Sequence, residues 1–329
     1  MEDRHKQNIF IMILLFAVLV ITFFLSVGYG AVPISPKEIV EALIHGEDSG
    51  VNYQIIFNIR LPRTIVAMLV GMALALSGAI LQGIMGNSLA TPNIIGVSSG
   101  AGLTALSILI LFPTHYYLVP LGAFIGAFLA TMFIYALAWK EGVLPARLIL
   151  AGVAVNSIFG AGNNILISLF PDRLAGAVSF MVGGLSGSNW KDVKMVLPYI
   201  LVGVVLTLLL SEKLNILVLG DEVATGLGLE VEKTRFIFII ISSIMAGSAV
   251  SVAGLLGFVG LIVPHMTRMF VGTDHKYVFP TAILLGSIIV MGCDLLARVL
   301  FAPKEIAVGI IMSIIGGPFF LYLLRKKEV

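Results

Sequence analysis

The chain has 329 residues, 59% of them hydrophobic and 12% charged, with 20 Lys and Arg against 18 Asp and Glu for a net charge of +2. A soluble domain carries roughly 25% charged residues, so this composition excludes a soluble fold and describes one integral membrane domain over residues 1–329, surrounded by a lipid bilayer. The near-neutral balance argues against nucleic acid as a partner, and the sole cysteine, Cys293, can form no internal disulfide and reads as a small buried hydrophobe.

Arg4, His5 and Lys6 precede the charge-free run Ile9 to Val27. That run outlasts the roughly 7 to 15 residues of a signal-peptide core and lacks a small-x-small cleavage site, so it reads as a retained first helix. A bilayer core about 30 Å thick takes roughly 20 apolar residues per helix. On that measure crossings fall at 9–29, 64–84, 93–112, 118–139, 147–169, 192–211, 235–255, 257–272, 278–300 and 306–324. The eighth is short, carries Pro264 and could be re-entrant. Ten crossings put both termini on one side. With the termini inside, 12 of the 20 lysines and arginines fall on the inner side, including Arg325, Lys326 and Lys327 after the last helix, so the bias places both termini in the cytoplasm. A glycine-punctuated helix running into a proline-bearing break occurs at Ala73–Pro92 and again at Ser248–Pro264 with opposite orientation, a possible inverted internal repeat.

Glycine, proline and polar side chains concentrate in segments otherwise apolar enough to span, in Gly257–Arg268 and from Asn58 into Gly78–Gly102. Irregular backbone at that depth must line a cavity or be buried in protein, which points to transport. His5, His45, His115, His265 and His275 lack metal-ligand spacing, and the chain shows no P-loop or hydrolase motif. It therefore reads as a non-enzyme without cofactor or metal, and ATP, if used, must bind another subunit.

Outside, Arg60 and Arg63 stand one turn apart and Arg298 ends the ninth crossing, either snorkelling to headgroups or forming a basic rim for a partner's carboxylates. Asp294 precedes Arg298 by four residues, the spacing of a salt bridge. Inside, Glu212–Arg235 reads as two short helical pieces: Gly220 breaks them, Asp221 can cap the second, and Gly226 and Gly228 end it. A loop holding Ile216, Leu217, Val218, Leu219, Leu227 and Leu229 is expected to dock against something.

Together these segments resemble the FecCD-type permeases of type II ABC importers, which take up iron-siderophore complexes, haem and vitamin B12. The motifs are Ile59–Arg63 (IRLPR), Ser77–Gly83 (SGAILQG), the turn Asn87–Pro92 (NSLATP), Gly96–Gly102 (GVSSGAG), Leu148–Ala154 (LILAGVA), Leu219–Gly228 (LGDEVATGLG), Gly257–Arg268 (GFVGLIVPHMTR) and Gly316–Leu324 (GGPFFLYLL), in family order over nearly the whole chain. The sequence departs from the family pattern at Ser88 and Thr91, at Glu305-Ile306-Ala307, and at Pro145 and Ala146.

The resemblance implies an all-α, ten-helix permease that pairs as a homodimer in a bacterial or archaeal cytoplasmic membrane. Two cytoplasmic ATP-binding subunits and an extracytoplasmic substrate-binding protein complete the assembly. It places Arg60, Arg63 and Arg298 at the binding-protein contact, and Leu219, Gly220, Asp221, Glu222, Ala224, Leu227 and Gly228 in the coupling loop. Asn87, Leu89, Pro145 and Ala146 fall at the cytoplasmic gate. The expected function is ATP-driven import of an iron chelate, a ferric siderophore or haem. Cobalamin, an oxyanion, or ion-coupled secondary carriage are the alternatives.

Overall fold

A computed structural model describes residues 2–30, 34, 38, 50–140, 142 and 144–325. Of the positions read from sequence, Lys37, His45, Val143, Lys326 and Lys327 lie outside these. The described residues are helical and connected by short turns. The helices are α1 (Glu2–Gly28), α2 (Val51–Met85), α3 (Val97–Leu111), α4 (Val119–Ala138), α5 (Pro145–Leu169), α6 (Leu174–Val182), α7 (Trp190–Leu209), α8 (Ser211–Leu217), α9 (Asp221–Gly226), α10 (Val231–Ala253), α11 (Val259–Val271), α12 (His275–Val299) and α13 (Val308–Arg325). Seven helices are long and apolar enough to cross a membrane, and the shorter Val97–Leu111, Val259–Val271 and Val308–Tyr322 are apolar as well. The chain is a multi-pass membrane protein.

The expected spans each coincide with a helix. The outer connection read between the fifth and sixth crossings instead contains α6, a nine-residue apolar helix (LAGAVSFMV) that Gly183 ends at φ 79°. It is too short to register as a crossing, which is why sequence patterning passes over it.

The order of elements repeats. α2 runs into a break and the short α3; α10 runs into a break and the short α11. Each break is opened and closed by left-handed residues: Gly86 (φ 56°) and Gly96 (φ 84°) in the first, Gly254 (φ 67°) and Phe258 (φ 66°) in the second. In the first break Asn87 Oδ1 accepts the Leu89 amide at 2.8 Å. Phe258 lacks the glycine freedom that such a φ favours. Its ring occupies the space over Gly316, where a Cβ would lie 2.6 Å from it.

α2 is the buried column, with α10, α11, α12 and α7 packed around it. Contact at backbone range sets these crossings. A Cβ on Gly71 would stand 2.2 Å from the Gly286 carbonyl oxygen, and one on Gly78 would stand 1.9 Å from that of Gly260. Between the glycines, Ser77 Oγ lies 2.7 Å from Ser242 Oγ, a polar bridge between α2 and α10 of the kind that holds membrane helices together.

Gly71→Ala should therefore lower thermal stability by about 1–3 kcal/mol through overpacking and cut the monodisperse yield in detergent. Gly160→Ala, where nothing lies within 4 Å, should leave both unchanged. Thermal unfolding of the two variants side by side checks the expectation.

Candidate functional site

The outer end of α2 begins in a π-helical segment, Gln54–Arg60, where the Leu61 amide reaches the Ile56 carbonyl five residues back. The next donor in that register would be Pro62, which has no N–H. The Phe57 carbonyl accepts instead from Trp190 Nε1 at 2.8 Å, tying the head of α7 to α2.

Beyond this segment the three predicted arginines come together, but not as a projecting rim. Arg60, Arg63 and Arg298 are 4, 5 and 2% exposed, and Asp294 is fully buried. Arg63 binds Asp294 through Nε and a terminal nitrogen at 2.9–3.2 Å and reaches Glu305 Oε2 at 2.7 Å. Arg298 Nε lies 3.1 Å from Asp294 Oδ2, the pair expected from the spacing. Its terminal nitrogens donate to the Ser26 and Tyr29 carbonyls. Arg60 donates to the Val27 and Gly28 carbonyls. Two of the arginines thus satisfy the last carbonyls of α1, where an α-helix leaves acceptors unpaired and favours positive charge.

The side chains point inward because a carboxylate pair and a helix end inside the subunit offer better partners than water at a membrane boundary. Burial raises the Glu305 carboxyl, but the hydrogen bond and charge of Arg63, with Ser186 and Arg298, outweigh it and hold the group below the usual carboxylate range. A cavity of about 120 Å³ opens over the cluster, lined by Gly30, Ile55, Ile59, Arg60, Arg63, Arg298 and Glu305. Sequence reasoning missed Arg63–Asp294 because the partners lie 231 residues apart. Glu305, noted only as a family motif position, is the second acid.

At the opposite end the loop after α7 resolves into α8 and α9. Leu214 and Leu217 turn inward, with Leu214 seated against Gly83 of α2, while Val218, Leu219, Val223 and Leu227 stay exposed, Leu219 at 60% and Leu227 at 61%. Glu222 and Gly228 are exposed beside them and Ala224 is buried. Gly220 holds φ at 102° and serves as N-cap of α9 with no side-chain cap. Asp221 therefore does not cap, contrary to expectation. Its carboxylate pairs with the Arg235 guanidinium of α10 at 2.7 Å, a stronger partner than a backbone amide.

The expected gate residues occupy two places. Asn87 and Leu89 stand in the α2–α3 break, and Pro145 and Ala146 open α5. α5 meets the break through neighbouring positions: Asn156 Nδ2 donates to the Asn93 carbonyl at 2.9 Å, and Gly152 passes directly under Ile94. α5 leaves Ala146, Leu150, Val153, Ser157, Ala161, Asn164 and Ser168 exposed along one face.

The FecCD transport family profile matches residues 18–326. The chain belongs to this family. Among curated FecCD-type relatives, the Fe(3+)-citrate import system permease protein YfmE of Bacillus subtilis is 38% identical, with 98% of this chain and 96% of that protein covered. The hemin transport system permease protein HmuU of Yersinia pestis is 41% identical over 84% of this chain and 85% of its own length. The cobalamin import system permease protein BtuC of Halobacterium salinarum is 42% identical over 84% and 74%. A solved metal-chelate type ABC transporter in an inward-facing conformation superposes with a TM-score of 0.87 at 31% identity, covering 96% of this chain and 99% of that one. This FecCD chain is accordingly a permease subunit of the metal-chelate importer class.

The buried ion cluster yields a stability expectation. Asp294→Ala leaves the Arg63 and Arg298 guanidinium groups facing each other without their shared carboxylate. It should cost about 3–5 kcal/mol, the penalty for removing one partner of a buried pair. Ser186→Ala, which removes only one hydrogen bond to the partly exposed Glu305 at 3.2 Å, should cost far less. Thermal unfolding in detergent measures both.

Proposed function

We propose that the protein is the permease of an ATP-driven, binding-protein-dependent importer of an iron chelate. It would work as a homodimer of ten-crossing subunits with both termini in the cytoplasm and the halves related by inversion. The observation that carries the reading is the full-length match to permeases of iron-chelate systems combined with an apolar patch on α8 and α9 that stays exposed among the described residues. Val218, Leu219, Val223 and Leu227 are exposed on short helices whose buried leucines fix them to the body. A patch of that kind fits a groove on another protein, here an ATP-binding subunit.

On this reading the exposed face of α5, where Ala, Ser and Asn alternate with Leu150 and Val153, lines the path at the dimer axis. Asn87, Leu89, Pro145 and Ala146 narrow its cytoplasmic end. Alternating access is a rigid-body movement driven from α8 and α9. At the outer face the cavity over the arginine cluster receives an acidic side chain of the binding protein. Arg60, Arg63 and Arg298 all line that cavity and together supply its positive field. Cobalamin is the second reading, favoured by the 42% identity to the Halobacterium cobalamin permease.

Leu219→Asp with Val223→Asp should abolish co-purification of a P-loop ATPase from native membranes while leaving the permease folded. Retention of the ATPase by that variant would remove the assigned surface. For cargo, uptake of radiolabelled iron as ferric citrate should fall at least about tenfold in cells lacking the gene, with cobalamin uptake unchanged; the reverse pattern selects the cobalamin reading.

A further inference from the structure

One polar side chain on the proposed coupling element makes every recorded hydrogen bond to the same place, the first turn of α12. Asn215, on α8, accepts the His275 amide at 2.9 Å through Oδ1. The same oxygen lies 2.7 Å from His275 Nδ1. Its Nδ2 donates to Asp274 Oδ1 at 2.7 Å. Asp274 is itself the N-cap of α12 and accepts the Lys276 amide at 2.9 Å. Asn215 and Asp274 thus form a joint cap, one member supplied by α8 and the other by the helix being capped. An oxygen accepting from both the His275 amide and Nδ1 requires the proton on Nδ1.

α12 is a continuous 25-residue helix. Asp274 precedes its head, Gly286 touches α2 at mid-length, and Asp294 and Arg298 of the outer ion cluster ride near its far end, about 30 Å and about 36 Å from the cap along the axis. A second tie, Asp221 to Arg235, fixes α9 to α10. Leu214 also packs on Gly83 of α2, but of the two polar ties only that of Asn215 leads to a helix carrying members of the arginine cluster, Asp294 and Arg298.

We propose that Asn215 is a positioning residue of the transport cycle: it clamps α8 to α12, so that displacement of α8 and α9 by a cytoplasmic partner moves α12 and is felt at the outer ion cluster. This rests on the importer reading above. Without the clamp, α8 would shift past the head of α12 without carrying it.

The native Cys293, buried and adjacent to Asp294, reports on the outer end of α12. The test takes the intact complex co-purified from native membranes into lipid nanodiscs and measures N-ethylmaleimide labelling of Cys293 with and without MgATP and vanadate. Trapping should change the labelling rate of the wild type about tenfold, within the span of ordinary coupling free energies. Asn215→Asp sets two carboxylates against each other and should abolish the response while the ATPase still co-purifies. Adding Asp274→Asn removes the repulsion and lets the amide now on α12 donate to the carboxylate now on α8, so the α8–α12 tie reforms even though the donating nitrogen cannot accept the Lys276 amide, and should restore the response. A normal response in Asn215→Asp, no response in the wild type, or no rescue by the exchange would each overturn the clamp while leaving the importer reading in place. Failure of any ATPase to co-purify with the wild type would remove the importer reading and the clamp with it.

Discussion

Helices in hydrocarbon gain little by hiding leucine from one another, because lipid tails are as apolar as the side chain; what decides their arrangement is how closely their backbones can approach. α2 is built on that constraint. Gly71 against Gly286 and Gly78 against Gly260 bring α12 and α11 to backbone contact, and Ser77 ties α10 to the same stretch. The rest follows from this column. Its outer end delivers Arg60 and Arg63 to the ion cluster, and Gly83 near its inner end makes the seat for Leu214 of α8. One helix thus locates both functional regions, and an error in its packing would displace both.

The second constraint is charge. At the membrane boundary three arginines gather on two of the described acids and on backbone acceptors that need donors. α1 ends with unpaired carbonyls, and Arg60 and Arg298 fill them. The cluster therefore holds α1, α2, α12 and the Glu305 connection in one unit. A group meant only to greet a partner would not need four internal partners; a group meant only for stability would not need a cavity open to the outside. The arrangement has both features, and Glu305, buried enough to be held ionised by Arg63 yet 32% exposed, sits at the boundary between them.

Legibility divided along the same physical lines. Long apolar runs announce themselves through the cost of unsatisfied polar groups in lipid, so the apolar segments that form helices and the breaks at Gly86–Gly96 and Gly254–Phe258 could be read from residue types. The Asp294–Arg298 pair was readable because four residues is a helix-surface distance. Arg63–Asp294 was not, since no local rule connects the second crossing to the ninth. Asp221 was misjudged for a related reason: its capping chemistry was correctly recognised, but Arg235, brought close only by the fold, is a better partner. The apolar residues of Glu212–Arg235 were recognised as a docking set without being sorted. Only the structure separates Leu214 and Leu217, which pack inward, from Leu219 and Leu227, which do not.

Cargo identity follows a different logic. If the exposed face of α5 lines the path, its Ala, Ser, Asn, Leu and Val side chains offer neither a charge to match a chelate nor an aromatic surface to stack on it. A path that must release its cargo on every cycle is served by weak contacts, since any group that bound the chelate tightly would deepen the well from which it must escape. Selectivity would then fall to the partner that presents the cargo, and the permease would need only width and the ability to close. This accounts for one fold and one motif set serving relatives that carry citrate, hemin and cobalamin complexes at similar identity to this chain. What the relatives must keep is the machinery that moves the helices. The polar and glycine positions of that machinery lie along α2, in the two breaks, and at the junction of α8 with α12.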